Sequence, residues 1–277
     1  MVRSRLALLL LLTIPSITVA QIRADGWRIE SDRGELVGSA RTVPRGHVQV
    51  EGGFSTTYSP LPRLDSPRSH GSTEYRSGHA AEYSRWTTGP ETLIRIGLDK
   101  GFEFTIRIPD QAPDNFSHNV PGNVFQLGTK FELHRDEFFE LAGSVAINVP
   151  FDSGFLESDA NDFFPNAALT GSFQINERTW ARAQIRTIFG PNEETWWADL
   201  TASAAIGVEA TSVTRLYVGS EINTWGTSSR RDGMPVLLMT GGSFQPLDIV
   251  SIDARIGIGV TDAAPNSQMG LGMSVRI

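Results

Sequence analysis

The chain has 277 residues, no cysteine and a formal net charge of -7. The lack of cysteine excludes a disulfide framework and metal sites built on thiolates. The acidic balance argues against nucleic acid as a partner, because binding to nucleic acid needs a basic surface.

The first twenty residues have the features of a secretory signal peptide. Arg3 and Arg5 precede an apolar run over residues 6–14, and small residues lead up to Ala20. This run is too short for a membrane-spanning helix, and no other stretch of the sequence is long and apolar enough to be one. We therefore predict export, with cleavage before Gln21.

Residues 21–45 are polar and have no regular period. We predict a periplasmic lead-in here, because the stretch is too short for the plug domain of an energised transporter. Residues 46–277 then form the remaining domain.

From residue 46 onward the dominant hydrophobic period is two, which indicates β-strands. Most of the twelve runs with this period are longer than the usual strand of about five or six residues. They match the roughly nine to eleven residues that cross a bilayer at a tilt. The runs are 46–57, 90–98, 101–109, 122–134, 137–149, 165–175, 178–189, 197–208, 212–224, 234–245, 248–260 and 268–277.

The connections between the runs alternate between short and long. Tight turns at 99–101, 135–137, 176–178, 209–212 and 245–248 separate long polar links at 58–89, 110–121, 150–164, 190–196, 225–233 and 261–267. This alternation places all short turns at one end of the sheet and all long loops at the other. An even number of strands with this layout is typical of a bacterial outer-membrane barrel.

Each run has one apolar face without charge and one polar face. In run 101–109, for example, Phe104 and Ile106 alternate with Glu103 and Arg107. Two architectures explain the pattern. In a soluble sandwich the apolar face is the core, whereas in a membrane barrel it meets lipid and the polar face lines the lumen.

Three features favour the barrel over the sandwich. A Greek-key sandwich needs long connections that cross between sheets, which the strict alternation does not offer. The export signal supplies the compartment. Aromatic residues also gather near strand ends, as interfacial girdles require. They are Phe102, Phe138, Phe139, Trp180 and Phe244 beside the short turns, and Phe54, Phe189, Trp196, Trp197 and Trp225 near the loops.

We therefore predict an all-β fold, a transmembrane antiparallel β-barrel of about twelve strands in an up-and-down meander. The last strand is expected to close the barrel against the first, around residues 48–54, with Arg276 paired to Glu51.

The charged residues of the polar face are candidates for the lining of a pore. Eight are basic and seven acidic, so they nearly cancel, and structural pairing is favoured over selection by sign. A lumen of twelve strands is expected to be narrow or closed. The candidates are Arg95, Arg107, Lys130, Arg182, Arg186, Arg215, Arg255 and Arg276 with Glu51, Glu103, Glu132, Glu140, Asp199, Glu221 and Asp253.

Other chemistry has little support in the sequence. The histidines His47, His70, His79, His118 and His134 show no metal-ligand spacing, and we expect neither a metal site nor a cofactor. The link with Glu157, Asp159 and Asp162 lacks the pattern of a helix-loop-helix calcium site. No histidine stands beside the outward hydroxyls at Thr129, Thr187, Ser220 and Thr240, so a barrel phospholipase is not expected.

Three segments together resemble a known family. "RTVPRGHVQVEGGF" (41–54), "PETLIRIGLDKGFEFTIRIP" (90–109) and "DIVSIDARIGIGVTDAAPNSQMGLGMSVRI" (248–277) are similar to the outer-membrane transporter family labelled for the MetA pathway of phenol degradation, with weaker similarity over most of 31–277. The resemblance implies an outer-membrane barrel and passage of aromatic or other small hydrophobic molecules. It implies no catalytic residues.

These observations predict an outer-membrane channel or transporter for the passive passage of small molecules. No phosphate-binding loop that could drive transport is present. The expected partners are outer-membrane lipid, the barrel-assembly machinery and a small solute of unknown identity. A non-conducting structural or adhesion barrel remains the alternative.

Overall fold

Twelve antiparallel strands make up the fold. The computed structural model describes residues 28–33, 36–59, 85–108, 124–150, 164–191, 196–224, 234–261 and 264–277. The strands are β1 (Val48–Ser59), β2 (Arg85–Asp99), β3 (Phe102–Ile108), β4 (Val124–Arg135), β5 (Phe139–Pro150), β6 (Phe164–Gln174), β7 (Thr179–Pro191), β8 (Trp196–Thr211), β9 (Thr214–Thr224), β10 (Val236–Leu247), β11 (Val250–Gly259) and β12 (Ser267–Arg276).

The sheet closes on itself, because every strand pairs with its sequence neighbours and β12 pairs with β1. The main chains of Val48 and Ile277 exchange two hydrogen bonds of 2.8 and 2.9 Å at this seam. Closure removes both sheet edges, so each strand has a partner on either side. The structure confirms the predicted twelve-stranded up-and-down barrel.

The seam differs from the sequence prediction in one pair. Arg276 lies opposite Gln49, whereas Glu51 lies opposite Ser274. Arg276 therefore donates to Gln49 Oε1, from Nε at 3.0 Å and from Nη2 at 2.8 Å. The expected contact of Arg276 with Glu51 is wrong because the register places Glu51 one inward position further along β1.

Short turns join β2 to β3, β4 to β5, β6 to β7, β8 to β9 and β10 to β11, all at one end of the barrel. In the first of them Gly101 has a φ of 75°, a left-handed value that other residues rarely adopt. Most of the long links, including the one with Glu157, Asp159 and Asp162, lie outside the described residues. No helix in the described ranges is long and apolar enough to cross a membrane.

Apolar side chains lie on the outer face of the sheet and charged side chains on the inner face, which is the reverse of a water-soluble protein. On β11, Ile252 and Ile256 point outward and are 41% and 52% exposed, whereas Asp253 points inward and is 4% exposed. A soluble sandwich would bury its apolar face. The burial pattern therefore excludes the sandwich for this fold.

Aromatic side chains lie mostly on the outer face, as predicted. Phe54, Phe102, Phe138, Phe189 and Phe244 are all exposed. The ring of Phe139 packs against that of Phe173, with centroids 4.6 Å apart. Nothing is described for the side chains of Trp196, Trp197 and Trp225.

Trp180 is the exception, and its assignment to the outer aromatic girdle is wrong. It is 4% exposed and lies inside the barrel. The period of two already places it on the same face of β7 as Arg182, whose guanidinium lies 4.7 Å from the indole ring centroid.

The described residues that lead up to β1 run through the inside of the barrel. We call residues 28–44 the lumen segment; positions 34 and 35 in it are not described. Ile29, Glu30, Arg33, Val37 and Val43 of this segment are each less than 5% exposed. The sequence analysis predicts a periplasmic lead-in for residues 21–45. The described part of this stretch lies in the lumen instead, because its charged side chains pair with charges on the inner wall.

The β4–β5 turn offers a test outside the barrel wall. Asp136 Oδ2 lies 2.9 Å from His134 Nε2, and Oδ1 accepts the main-chain N–H groups of Phe138 and Phe139 at 2.8 and 2.7 Å. These hydrogen bonds, led by the one from His134, lower the pKa of Asp136 from 3.8 to about 2. A lowered pKa gives stability that is complete above the unfolded value and is lost as pH falls through the folded value.

We expect Asp136→Ala to unfold at lower urea concentration than the parent protein at neutral pH. The difference should shrink as pH falls from about 4 to about 2, because the carboxylate then becomes protonated in the folded state. The control is Glu137→Ala at the exposed neighbouring position. A difference that is the same at about pH 6 and about pH 2 would contradict the assignment.

Candidate functional site in the barrel lumen

The candidate site is the inner wall of the barrel together with the lumen segment. The segment begins near the short turns, where Arg28 pairs with Glu209 on β8 and Ile29 N–H donates to Gln245 Oε1 on β10 at 3.2 Å. It returns to the same end, where Pro44 O accepts the N–H of His47 just before β1. The segment therefore enters and leaves the lumen on the short-turn side.

Glu30 brings two strands together through its carboxylate. Arg182 Nη2 on β7 lies 2.9 Å from one of its oxygens, and Arg215 Nη1 on β9 lies 3.0 Å from the other. Ser39, further along the segment, also donates to Glu30. All three charged groups are buried. Two cations around one anion leave a local excess of positive charge, which Glu209 reduces by accepting from Arg215 Nη2 at 3.2 Å.

Arg95 on β2 contacts several groups of the wall and the segment at once. Its Nε and Nη2 bind the two carboxylate oxygens of Glu103 at 2.8 and 2.9 Å, and its Nη1 lies 3.3 Å from Glu51. The same guanidinium donates to the carbonyl oxygens of Glu30 at 2.8 Å and Arg41 at 2.9 Å. It thus holds the lumen segment by its main chain at two points. Arg95 itself is 1% exposed, so each of these donors is shielded from water.

The acidic residues of the wall accept main-chain and side-chain donors from the segment. Glu51 Oε2 accepts Ser31 Oγ at 2.7 Å and the N–H groups of Asp32 and Arg33 at 2.9 Å. Glu103 Oε2 accepts the N–H of Val43 at 2.6 Å. A carboxylate with several such donors is well compensated inside a protein.

Two acidic side chains near the β4–β5 turn hold the returning part of the segment. Glu140 accepts Arg41 Nε at 2.8 and 3.1 Å. Glu132 accepts the N–H and the Oγ1 of Thr42 at 3.0 and 2.8 Å. The returning part is thus bound as closely as the entering part.

Two further charges in the described part of the segment, Asp32 and Arg33, are paired in the same way. Asp32 Oδ2 lies 2.8 Å from Lys130 Nζ and 3.4 Å from Arg95 Nη2. Arg33 Nη2 donates to both oxygens of Asp253 at 2.8 and 2.9 Å. Removing one partner of a buried pair costs about 3–5 kcal/mol, since the other charge is left uncompensated.

Glycines in the wall make room for the segment. A Cβ atom on Gly272 of β12 would overlap Arg33 Nη2, and one on Gly53 of β1 would lie 2.6 Å from Arg33 Nη1. A Cβ on Gly97 of β2 would overlap the main chain of Pro44. The Arg33 guanidinium and the main chain at Pro44 can therefore lie against the wall because these wall positions are glycines.

The middle of the segment packs against apolar side chains. Leu36 and Val37 are buried in one cluster with inward residues of β7–β10 and with a residue of the β11–β12 link. Those residues are Trp180, Ala205, Tyr217, Leu237, Met239 and Ala264. The lumen therefore has an apolar patch on β7–β10 in addition to the charged groups around Arg95 and Glu30.

The structure brings most of the predicted lining residues together around the segment. Arg255 joins those described above by donating to Arg33 O. Asp199 is buried, Arg107 and Glu221 are half-buried, and Arg186 is exposed on the loop side of Arg182. Their role as the lining of a pore stays a prediction.

The sequence prediction missed the segment's own functional residues. Glu30, Asp32, Arg33 and Arg41 each form an ion pair with the wall, but they lie in a stretch without hydrophobic period. The closely spaced, mixed-sign charges of this stretch were the available signal, since such a pattern can complement a wall of mixed charge.

No group of three or more potential metal ligands occurs among the described residues. His134 Nε2 lies 2.9 Å from Asp136 Oδ2 in the β4–β5 turn. The acidic link with Asp159 is outside the described part of the chain.

Three solved structures share the architecture. An outer-membrane channel from Pseudomonas putida F1 matches with a TM-score of 0.59 at 10% identity, over 87% of this chain and 98% of that chain. The NanC porin matches with a TM-score of 0.52 at 8% identity, over 83% and 100%. The KdgM porin, solved with disordered oligogalacturonate, matches with a TM-score of 0.52 at 9% identity, over 82% and 98%. At these identities the likeness shows the fold.

No protein-family model matches the chain, and no curated protein sequence matches it. The resemblance to the phenol-degradation family therefore stays a prediction.

A glycine substitution tests how the lumen segment is held. In Gly272→Leu the new side chain needs the space of the Arg33 guanidinium, so Asp253 loses its partner. If the segment is held in the lumen less strongly by about 3 kcal/mol, the fraction of molecules in which it has left the lumen rises roughly a hundredfold. We expect trypsin to cleave after Arg28, Arg33 or Arg41 much faster in the folded variant, as detected by mass spectrometry.

The control is Gly52→Leu on the neighbouring outward position, where a Cβ would meet nothing within 4 Å. This variant should keep the segment as protected as in the parent protein. Equal protection in Gly272→Leu and Gly52→Leu would contradict a segment seated through Arg33.

Proposed function

We propose that the protein is an outer-membrane channel for the passive passage of small molecules, and that the lumen segment closes it on the short-turn side. The observation that carries the proposal is that a segment separate from the barrel wall lies buried in the lumen, bound to inward side chains of the wall. The barrel wall is complete without this segment, because all twelve strands pair with each other.

The way in which the segment is bound supports a removable closure. Outside the strand ladders, the described part of residues 28–44 makes one main-chain to main-chain hydrogen bond, in which the N–H of His47 donates to Pro44 O. This bond joins the end of the segment to the residues just before β1 and does not involve a strand of the wall. The contacts with the wall are ion pairs, side-chain hydrogen bonds and apolar packing. Such contacts can be released without opening the sheet.

The outer surface supports a location in lipid. Large apolar side chains cover it on all strands whose side chains are described, whereas soluble proteins seldom expose apolar patches of more than a few hundred Å². With the predicted signal peptide and barrel-assembly machinery, the outer membrane of a bacterium is the proposed site. The short turns then face the periplasm.

For the solute we propose a small molecule, with aromatic or other hydrophobic ones suggested by the family resemblance. Passage would follow a gradient, because the sequence has no phosphate-binding loop to couple it to nucleotide hydrolysis. The names of the three structural neighbours, one outer-membrane channel and two porins, support the channel class.

We propose no catalytic activity. The outward hydroxyl of Thr240 donates to the main-chain oxygen of Tyr217 at 2.8 Å, which is a structural contact and not the activation of a nucleophile.

The second candidate is a non-conducting structural or adhesion barrel. The thorough charge compensation around Arg95 and Glu30 favours it, because a tightly paired lumen resists opening. The two candidates differ in whether the segment leaves its seat in the membrane.

Single-channel recording in planar bilayers separates the candidates. We expect small or rare openings in the parent protein and clearly larger, longer openings in Gly272→Leu, because the displaced segment frees the short-turn end. Gly52→Leu should behave like the parent. If Gly272→Leu releases the segment to trypsin and still shows no openings, the channel is contradicted and the structural barrel favoured.

An arginine on the outer wall tests the lipid location. Ile256 points outward near the middle of β11, and an arginine at mid-depth of a lipid-facing wall costs about 2–4 kcal/mol. We expect Ile256→Arg to lower the free energy of unfolding from lipid vesicles by about that amount. Ile256→Val, the conservative control, should cost much less. A loss in Ile256→Arg no greater than in Ile256→Val would argue against lipid contact at this position.

A further inference from the structure

Two rows of inward positions on β7–β11 alternate a larger side chain with glycine. Register places neighbours side by side across the strands, so each row runs around the barrel wall. The row nearer the short turns is Trp180, Gly207, Tyr217 and Gly241, and the next row is Ala205, Gly219, Met239 and Gly257.

The large side chains of these rows lie over the neighbouring glycines. The indole of Trp180 contacts the Cβ position of Gly207 so closely that any side chain there would overlap it. The hydroxyl oxygen of Tyr217 lies 2.6 Å from the Cβ position of Gly241, and Met239 Cγ lies 2.9 Å from that of Gly257. The side chains thus lie along the wall instead of projecting across the lumen.

The space beside these side chains is filled by the lumen segment. Leu36 Cδ2 lies 2.7 Å from the Cβ position of Gly219, and Val37, at 1% exposure, belongs to the same cluster. These two residues are the apolar centre of a segment that is otherwise held by charges. When the segment leaves, the apolar wall they cover would meet water unless something else binds there.

The cluster contains a polar group without a partner. Trp180 is 4% exposed, and its Nε1–H has no acceptor among the described residues. A buried donor without an acceptor costs about 1–3 kcal/mol. A ligand with an oxygen acceptor would remove this cost, which the hydrocarbon side chains of Leu36 and Val37 cannot do.

We propose that Trp180, Tyr217, Leu237 and Met239 form a binding site for a small aromatic molecule with one oxygen acceptor, and that this ligand competes with Leu36 and Val37 for the site. Aromatic rings pack favourably against other rings and against a thioether. The indole N–H of Trp180 would donate to the oxygen of the ligand, so a ring with this oxygen would bind more tightly than a ring without it. The inference rests on the proposed function in one respect, since solutes must reach the lumen.

Competition makes the exposure of the segment depend on the ligand. A ligand that binds only the form with Leu36 and Val37 displaced raises the population of that form by a factor of one plus the ratio of its concentration to its Kd. At ten times Kd this factor is about eleven. The chain has no cysteine, so a single introduced thiol can report the displaced form.

The experiment uses Val37→Cys in the full chain, folded in lipid vesicles, and a charged, membrane-impermeant thiol reagent. Phenol is the probe, and toluene is the matched ring without oxygen. We expect phenol to raise the rate of thiol modification by up to about tenfold, and toluene to raise it less. Trp180→Phe in the same background keeps a ring and removes the N–H. In this variant the rate of thiol modification with phenol should therefore fall to the rate with toluene.

Glu137→Cys in the exposed β4–β5 turn is the control for effects on the reagent and on the fold, and its modification rate should not change. The proposal is overturned if neither solute changes the rate at position 37, if phenol and toluene act alike in both backgrounds, or if Glu137→Cys responds in parallel. The measurement reports binding without conductance. It can therefore fail while the channel conducts, or succeed while the channel does not.

Discussion

Compensation of buried charge is the constraint on which this lumen depends. Arg95 is almost fully enclosed, and a guanidinium in that position is tolerable only with several acceptors around it. Glu103 and Glu51 supply part of the requirement from the wall. The lumen segment supplies the carbonyl groups of Glu30 and Arg41 and the carboxylate of Asp32. The wall and the lumen segment therefore complete each other, and each would be left with uncompensated charges alone.

The glycines of the inner wall have a related role. A twelve-stranded barrel encloses limited space, and side chains at every inward position would fill much of it. Gly53 and Gly272 leave room for the guanidinium of Arg33, while Gly219 leaves room for Leu36. The inner wall is thus shaped to the segment at particular positions, and its charges fit the segment at others.

The segment makes two different kinds of contact at once. Ion pairs and hydrogen bonds hold it to strands around the barrel, including Arg182 on β7 and Arg215 on β9. Apolar side chains around Tyr217 and Met239 pack against its middle. Ion pairs give position and direction, whereas apolar packing depends on excluding water. A solute that replaces only the apolar contacts would therefore weaken the closure without removing every charged contact.

The sequence by itself determined the local features of the protein. A period of two, uncharged outward faces and alternating turn lengths follow from neighbouring residues, so all twelve strands, the meander and the seam could be predicted. The same period places Trp180 on the inward face of β7 together with Arg182, although its aromatic ring and its position near a strand end suggested the outer girdle. The inward direction of Arg95, Glu103 and Arg215 was likewise a matter of alternation along one strand.

Only the tertiary structure decided which charges meet. Glu30 and its partner Arg215 are 185 positions apart, and Arg33 and Asp253 are 220 apart. Contacts of this range depend on the register of all strands between them, which no local pattern encodes. The described part of residues 28–44 forms no strand, so this stretch has no period of two. Its place in the lumen follows from the wall charges that the closed barrel assembles around it.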